Sequence, residues 1–163
     1  MECFKTFRKA PPSQLIMTLL VKNEESMLEE NLLFHKAMGV DSFIITDNNS
    51  TDSTPEIIRK YKQKGWIKEV IEEKATDYEQ KEWVDRMIWK AKTIYKADWI
   101  INADADELWY SPSGNLKTDL SATHANVLNC EMRSVYPEEN QPFWQWDKVV
   151  KPVSEPERYD LST

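Results

Sequence analysis

Short apolar runs alternate with amphipathic segments along this sequence. Four runs have the length and composition of strands: residues 14–21, 42–46, 66–71 and 98–102. The first is nearly continuously apolar, which is typical of a strand buried on both faces. Between them, apolar residues recur at helical spacing in three segments: 25–38, 55–64 and 78–95. A fifth strand is predicted from Asn126 onward. This alternation predicts an α/β domain with a mostly parallel sheet flanked by helices.

Glycine, proline and capping residues set the expected limits of these elements. Gly39 and Gly65 stand where left-handed C-caps would end the first two helices. Ser53 and Glu56 fit a capping box at the start of the second helix. We expect a leader at 1–13, one domain at 14–135, and a Pro- and Trp-rich tail at 136–163 that has no assigned element and could belong to an acceptor region.

Polar residues follow three of the predicted strands at the point where each strand ends. The clusters are Lys22-Asn23-Glu24, Asp47-Asn48-Asn49 and Asp104-Ala105-Asp106. In doubly wound sheets, ligands bind at the carboxyl ends of the strands, where the strand order reverses. The three clusters therefore predict a ligand site at one edge of the sheet.

Composition and charge exclude several classes of protein. Three glycines among 163 residues cannot form a glycine-rich phosphate loop. A net charge of -7 disfavours binding to nucleic acid. Cys3 and Cys130 are too few for a disulfide framework or a zinc site, so we expect a reducing, cytoplasmic setting. The longest apolar run is too short to cross a bilayer, although the basic residues near the N-terminus leave peripheral membrane contact open.

Asp104 and Asp106 are the strongest candidates for a metal site. Two carboxylates at i and i+2 can converge on one point if the backbone turns at the small Ala105. Mg²⁺ and Mn²⁺ prefer oxygen ligands and keep coordination positions for substrate phosphate. The alternative is a pair of solvated loop acids without a metal, but their place after a buried strand favours a metal.

Three further strand-end residues each have two interpretations. Asp47 suits recognition of a nucleobase or ribose, or has a local role in an Asx turn or in the approach to the second helix. Asn23 contacts the base or caps the first helix, and Lys22 lines the nucleotide pocket or is solvated. An EF-hand is excluded for the second cluster, because its sixth position is Asp52 rather than Gly and its twelfth is Ile58 rather than an acid.

Other polar and aromatic residues are weaker candidates. Gln80, Asp85 and Arg86 could face the site from the third helix, although a solvated helix face is the more common arrangement. Trp144 and Trp146 could stack on a sugar ring or serve as core or subunit contacts. His35 and His124 have no partner at ligand spacing, so the sequence assigns them no role.

Together these motifs resemble the GT-A glycosyltransferases, especially family 2 and its relatives. The resemblance covers about residues 14–110: an Asn-Glu pair ends the first strand, DNNSTD follows the second, and DWIINADADELW is similar to the Asp-x-Asp-Glu form of a subgroup with polysaccharide and lipopolysaccharide enzymes. It implies a Rossmann-like nucleotide-sugar-binding domain, which in this short chain could be truncated on its C-terminal side.

The resemblance also implies roles for particular residues. Asp104 and Asp106 would bind the metal, and the residues that contact the nucleotide-sugar would be Val21, Lys22, Asn23, Asp47, Asn48, Asp104, Ala105 and Asp106. The Asn48-Asn49 pair departs from the more common Asp-Gly, which leaves the nucleotide open. No catalytic base is assigned, because nothing selects among the late carboxylates Glu138, Glu139, Asp147 and Glu155.

The sequence thus predicts a Mn²⁺- or Mg²⁺-dependent glycosyltransferase. We expect a UDP-sugar donor and a glycan or lipid-linked acceptor hydroxyl. The resemblance to GT-A enzymes further implies inversion at the sugar carbon and a place in polysaccharide or lipopolysaccharide synthesis. Two alternatives stay open: a nucleotide-sugar-binding module without turnover, and a sugar-phosphate nucleotidyltransferase. The donor sugar, the linkage and the oligomeric state are undetermined at this point.

Overall fold

The computed structural model describes residues 14–74 and 80–121, together with the single residues 123, 127, 130, 135 and 138. The chain divides into two compact units, Met1–His124 and Ala125–Thr163. Nearly all described residues belong to the first unit, and the fold below is the fold of that unit. The predicted fifth strand falls mainly outside the described residues.

The first unit is built on a four-stranded parallel sheet. Its strands are β1 (Leu15–Val21), β2 (Ser42–Asp47), β3 (Ile67–Glu72) and β4 (Trp99–Ala103). Their order in the sheet is β3-β2-β1-β4, and every neighbouring pair is parallel. The prediction of a mostly parallel α/β sheet is confirmed, and each of the first four predicted strands lies within one residue of its observed limits.

In the part of the chain that the structure describes, four helices accompany the sheet: α1 (Leu28–Ala37), α2 (Thr54–Gln63), α3 (Gln80–Thr93) and α4 (Leu116–Ser121). The first three connect consecutive strands, as the sequence predicts. The short α4 lies after β4, in a stretch for which no element was predicted from the sequence. Within the described residues, no helix is both long and apolar enough to cross a bilayer.

Helices cover both faces of the sheet, which explains why β1 is almost continuously apolar. Leu15, Met17 and Leu19 point to the face that carries α1 and α2, and they are fully buried. Ile16 points to the other face, where it packs near Met87 of α3. Because both faces of β1 are removed from water, each such side chain contributes roughly 1.5–3 kcal/mol to folding.

The start of α1 differs from the prediction. The helix was expected from Glu25, but Glu25–Met27 form a turn and α1 begins at Leu28. In this turn the backbone N–H groups of Met27 and Leu28 both donate to the carbonyl of Glu24, at 3.1 and 2.9 Å. At the other end Gly39 has a positive φ of 97°, in agreement with the predicted C-cap.

The predicted capping box of α2 is wrong. Ser53 is the N-cap residue, but its side chain makes no capping hydrogen bond. Instead Asp52 Oδ1 accepts from the N–H of Thr54 at 2.9 Å, and Glu25 Oε2 accepts from the N–H of Ser53 at 2.9 Å. The first N–H groups of α2 are therefore satisfied partly by a residue from the segment after β1.

Candidate functional site

The three polar clusters meet at the carboxyl edge of the sheet. Val21 pairs with Asp47 across β1 and β2, and Leu19 pairs with Ala103 across β1 and β4. Both β2 and β3 lie on one side of β1, whereas β4 lies on the other, so the strand order reverses between β1 and β4. Asp104 follows β4 directly beside this reversal, which is the usual position of a ligand crevice in such sheets.

Backbone and side-chain hydrogen bonds join the segments after β1 and β2. The N–H of Asn48 donates to the carbonyl of Val21 at 2.9 Å. Ser50 Oγ accepts from the N–H of Asn23 at 2.9 Å, and Asn23 Oδ1 accepts from the N–H of Thr51 at 2.8 Å. We call this reciprocal pair of bonds the clasp. It fixes the relative position of two of the three polar segments.

Asn23 therefore has a structural task that neither predicted interpretation included. The N-cap residue of α1 is Met27, so the prediction that Asn23 caps this helix is wrong. Asn23 adopts a left-handed backbone conformation with a φ of 57°, which Asn tolerates better than most residues. Contact with a nucleotide stays a prediction for Asn23, as it does for the exposed Lys22.

Asp47 makes local side-chain hydrogen bonds to the third residue after it, rather than the bond to the second residue that defines an Asx turn. Its Oδ1 accepts from the N–H of Ser50 at 3.1 Å and from Ser50 Oγ at 2.6 Å. The residue is only 9% exposed. Both bonds from Ser50 use Oδ1, and no hydrogen bond among the described residues uses Oδ2. A pocket of about 540 Å³ lies beside Asp47, lined in part by Arg59, Lys62 and Lys74.

The segment after β4 presents two carboxylates to solvent. Asp104 and Asp106 are exposed, whereas Ala105 between them is only 2% exposed. The N–H of Glu107 donates to the carbonyl of Asp104 at 3.1 Å, which closes a turn. The N–H of Asp104 in turn donates to Glu107 Oε2 at 3.3 Å. The backbone thus turns at Ala105, as the metal prediction requires.

Negative charge accumulates at this edge of the sheet. The pKa of Glu24 is raised, first because the carboxyl is partly buried and then because Asp106, Asp52 and Asp104 repel its charged form. None of the ion pairs formed by the described residues includes Glu24, Asp104 or Asp106. A bound cation would relieve this repulsion.

The donor groups present fit a metal that is shared with a ligand. Within the described part of the chain, no group of three or more His, Cys, Asp or Glu side chains is arranged to hold a metal ion. Asp104 and Asp106 alone would occupy few of the coordination positions of Mg²⁺ or Mn²⁺. The remaining positions would be open to phosphate oxygens and water, as in sites where the metal binds together with a substrate.

Two residues of α1 that the sequence did not assign hold the segment after β4. Asn31 Nδ2 donates to the carbonyls of Ala105 and Glu107, both at 2.9 Å. His35 Nε2 accepts from the N–H of Trp109 at 2.9 Å. The prediction of no role for His35 is therefore incomplete. A signal was present, because Asn31 and His35 stand one helical turn apart on the face that carries the buried Leu28 and Leu32.

The candidates on α3 form surface ion pairs. Arg86 Nη2 lies 2.7 Å from Glu73 Oε2, and Lys81 Nζ lies 2.6 Å from Asp85 Oδ2. Gln80 is exposed. These contacts agree with the solvated helix face that the sequence also allowed. His124, Trp144, Trp146 and the late carboxylates other than Glu138 lie outside the described residues.

Comparison with known proteins identifies a family for most of this chain. The model of glycosyltransferase family 92 matches residues 17–142. No curated protein is significantly similar in sequence. The GT-A-like glycosyltransferase character that the sequence predicted is confirmed by the family match, while the likeness to family 2 and to the Asp-x-Asp-Glu subgroup stays a prediction.

Two solved structures have a similar backbone over part of the chain. One is the mannosyltransferase PcManGT from Pyrobaculum calidifontis in complex with GDP-Man and Mn²⁺, with 18% identity, a TM-score of 0.47, and coverage of 63% of this chain and 30% of that one. The other is S. aureus TarS 1–349, with 17% identity, a TM-score of 0.46, and coverage of 67% and 31%. The present chain thus spans about a third of the length of each. Similarity at this level assigns no residue roles.

Proposed function

Because this chain belongs to glycosyltransferase family 92, we propose that it binds a nucleoside-diphosphate sugar with a divalent cation and transfers the sugar to an acceptor hydroxyl. One observation carries the proposal: the exposed Asp104 and Asp106 flank the buried Ala105 in a turn next to the reversal of strand order. Two carboxylates at such a crevice suit a cation that also binds a diphosphate.

The nucleoside would lie toward the end of β2. Asp47 Oδ2 is the group best placed to accept a hydrogen bond from a base N–H or a ribose hydroxyl, since Oδ1 is held by Ser50. The clasp between Asn23 and Ser50-Thr51 would keep the backbone of Val21, Lys22 and Asn48 beside the ligand. A base that offers an N–H to a carboxylate, such as uracil, fits this arrangement.

Asp104 and Asp106 would hold Mn²⁺ or Mg²⁺. When bound, the cation would neutralise the diphosphate and stabilise the negative charge of the departing nucleoside diphosphate. Glu24 would add to the negative field that attracts the cation. Ala105 would let the substrate approach closely, because its side chain is a single buried methyl group.

The finer parts of the proposal follow the resemblance to GT-A enzymes. We propose an inverting reaction with a glycan or lipid-linked acceptor, in polysaccharide or lipopolysaccharide synthesis, on the cytoplasmic side and with peripheral membrane contact allowed. In such a reaction a carboxylate deprotonates the acceptor hydroxyl as the sugar moves. No described residue is assigned as that base.

Calorimetry tests whether the chain binds the nucleotide together with a divalent cation. UDP and GDP would be titrated into the chain with Mn²⁺ and with EDTA, in the wild type, in Asp104→Asn, and in Asp85→Asn as the matched control on the exposed face of α3. We expect binding that requires Mn²⁺, is lost in Asp104→Asn and is kept in Asp85→Asn. Equal binding with and without metal in all three proteins would overturn the proposal.

Turnover is tested separately from binding. Incubation of the chain with UDP-sugars and Mn²⁺ should release UDP by transfer or by slow donor hydrolysis. Metal-dependent binding without any release of nucleotide, in the presence of candidate acceptors, would contradict the transfer step. It would support the alternative of a binding module without turnover.

A further inference from the structure

A buried polar pair on α1 supports the turn that carries the proposed metal ligands. Asn31 and His35 stand one helical turn apart, and both are fully buried. Between them they satisfy three backbone groups of the segment after β4: the carbonyls of Ala105 and Glu107, and the N–H of Trp109. The two side chains thus contact the segment on both sides of Asp106.

The hydrogen bonds form a single chain with one consistent direction. His35 Nε2 must be unprotonated, because it accepts from the N–H of Trp109. The ring proton therefore lies on Nδ1, which donates to the carbonyl and to Oδ1 of Asn31 at 2.9 and 3.0 Å. Since Asn31 Oδ1 accepts this bond, Asn31 Nδ2 is left to donate to the segment, which fixes the orientation of the amide.

Burial keeps the imidazole in the neutral form that this chain of bonds needs. Removal from water lowers the pKa of His35 to about 4, despite the hydrogen bond to Asn31, which acts in the opposite direction. At neutral pH the ring is therefore uncharged. A neutral ring with one donor and one acceptor matches its two partners, so none of its polar atoms is left unsatisfied.

The supported turn has no regular secondary structure that could fix it otherwise. Residues 104–110 lie outside any helix or strand. Within this turn two local bonds join Asp104 and Glu107, at 3.1 and 3.3 Å. The shorter bonds from Asn31 hold the carbonyl of Ala105, which lies between the two carboxylates. The position of Asp104 and Asp106 relative to the sheet therefore depends on α1.

We propose that Asn31 and His35 are positioning residues for the metal-dependent binding of the nucleotide, acting through the backbone of residues 105–109 and never through contact with the ligand. The inference rests on the proposed function, because it assumes that Asp104 and Asp106 bind the cation. Groups that hydrogen-bond to metal ligands without binding the metal themselves typically change metal affinity by about 10–100-fold when they are removed.

Asn31→Asp is the most informative variant. It has almost the same size as Asn31, but a carboxylate oxygen replaces Nδ2 and faces two carbonyl oxygens, so the donors to Ala105 and Glu107 are lost. The matched control is Asn115→Asp at the start of α4. Asn115 Oδ1 accepts from the N–H groups of Lys117 and Thr118, and an aspartate can accept both bonds equally well.

Two variants of His35 separate positioning from packing. His35→Gln places an amide oxygen near the position of Nε2, where it can still accept from the N–H of Trp109. His35→Leu keeps a buried side chain of similar volume but accepts nothing. If the hydrogen bond from Trp109 positions the site, His35→Gln should keep much of the Mn²⁺-dependent UDP affinity that His35→Leu loses.

The measurements are Mn²⁺ affinity from the paramagnetic signal of the free ion, UDP affinity with Mn²⁺ from calorimetry, and the thermal midpoint of unfolding. In Asn31→Asp we expect Mn²⁺-dependent UDP affinity to fall about tenfold or more, in a protein that still unfolds cooperatively. Asn115→Asp should bind like the wild type. His35→Leu should bind more weakly than His35→Gln, even when both are measured well below their unfolding midpoints.

The outcomes separate this inference from the function on which it rests. If the wild type itself shows no metal-dependent binding of nucleotide, the proposed function fails. If the wild type binds but folded Asn31→Asp and His35→Leu bind equally well, the proposed function stands and the positioning role is overturned. Loss of affinity that follows the drop in stability alone, with no recovery in His35→Gln, would also overturn it.

Discussion

The Nε2 atom of His35, on α1, accepts a hydrogen bond of 2.9 Å from the backbone N–H of Trp109, 74 positions later in the chain. This bond requires the neutral ring, and burial already favours that form by lowering the pKa of His35 to about 4. Stability and the geometry of the proposed metal site are therefore linked through one histidine.

This link predicts a stability that depends on pH. The folded-state pKa of His35 lies below the ordinary value of 6.5, so its contribution is complete above pH 6.5 and is lost as the pH falls toward 4. The loss amounts to about 3 kcal/mol. Urea unfolding of the wild type and of His35→Gln between pH 7.5 and 4.5 should show the steeper decline in the wild type. Parallel profiles would contradict the assignment of a buried neutral histidine.

The negative charge of Glu24 should destabilise the metal-free fold but strengthen the binding of Mn²⁺. The pKa of Glu24 is raised first by partial burial and then by charge repulsion from Asp106, Asp52 and Asp104, so its ionisation destabilises the metal-free fold as the pH rises through that pKa. Glu24→Gln should therefore raise the melting temperature at pH 7 without metal and weaken Mn²⁺ binding roughly fivefold. Glu82→Gln, on the exposed face of α3, is the control and should change neither. If Glu24→Gln binds Mn²⁺ as tightly as the wild type, the charge of Glu24 does not contribute to the binding of the cation.

The clasp predicts an order of stabilities at position 23. Asn23→Ala keeps the strained φ of 57° and loses the acceptor for the N–H of Thr51, so we expect a loss of about 1–3 kcal/mol in the free energy of unfolding. Asn23→Gly loses the same acceptor but relieves the strain, so it should be the more stable of the two. Lys96→Gly, at a φ of 56°, tests strain alone. If Asn23→Ala is instead the more stable of the two variants, backbone strain does not determine the stability at position 23.

Gly39 and Gly65 offer a matched pair of glycine substitutions. Both have positive φ, at 97° and 76°, but an added Cβ at Gly39 would lie 2.7 Å from Asn115 Oδ1, whereas the space around Gly65 is open. Gly65→Ala should cost about 1–2 kcal/mol of stability from backbone strain. Gly39→Ala should cost more, because the side chain that caps α4 must also move. If chemical unfolding shows that Gly39→Ala and Gly65→Ala lose the same free energy of unfolding, Asn115 moves away from the new methyl group without cost.

The sequence by itself determined the sheet and the place of the site. Strands such as β1 and β2 are buried on both faces, so their apolar runs show directly where they begin and end. The polar residues that follow them, from Asn23 to Asp47 and Asp104, then had to lie at one edge, because parallel strands all end on the same side. The chain turns at Ala105, which is the geometry that a cation shared by Asp104 and Asp106 would need, while the metal itself stays a prediction.

Only the tertiary structure decided how these segments are held together. The amide of Asn31 and the ring of His35 reach residues more than 70 positions away, and no local pattern specifies a bond across that distance. For the same reason the start of α2 is satisfied by Asp52 and Glu25 rather than by Ser53. Hydrophobic periodicity fixes which face of an element is buried. The partners of buried polar groups depend on which chain segments the finished fold brings within 3 Å.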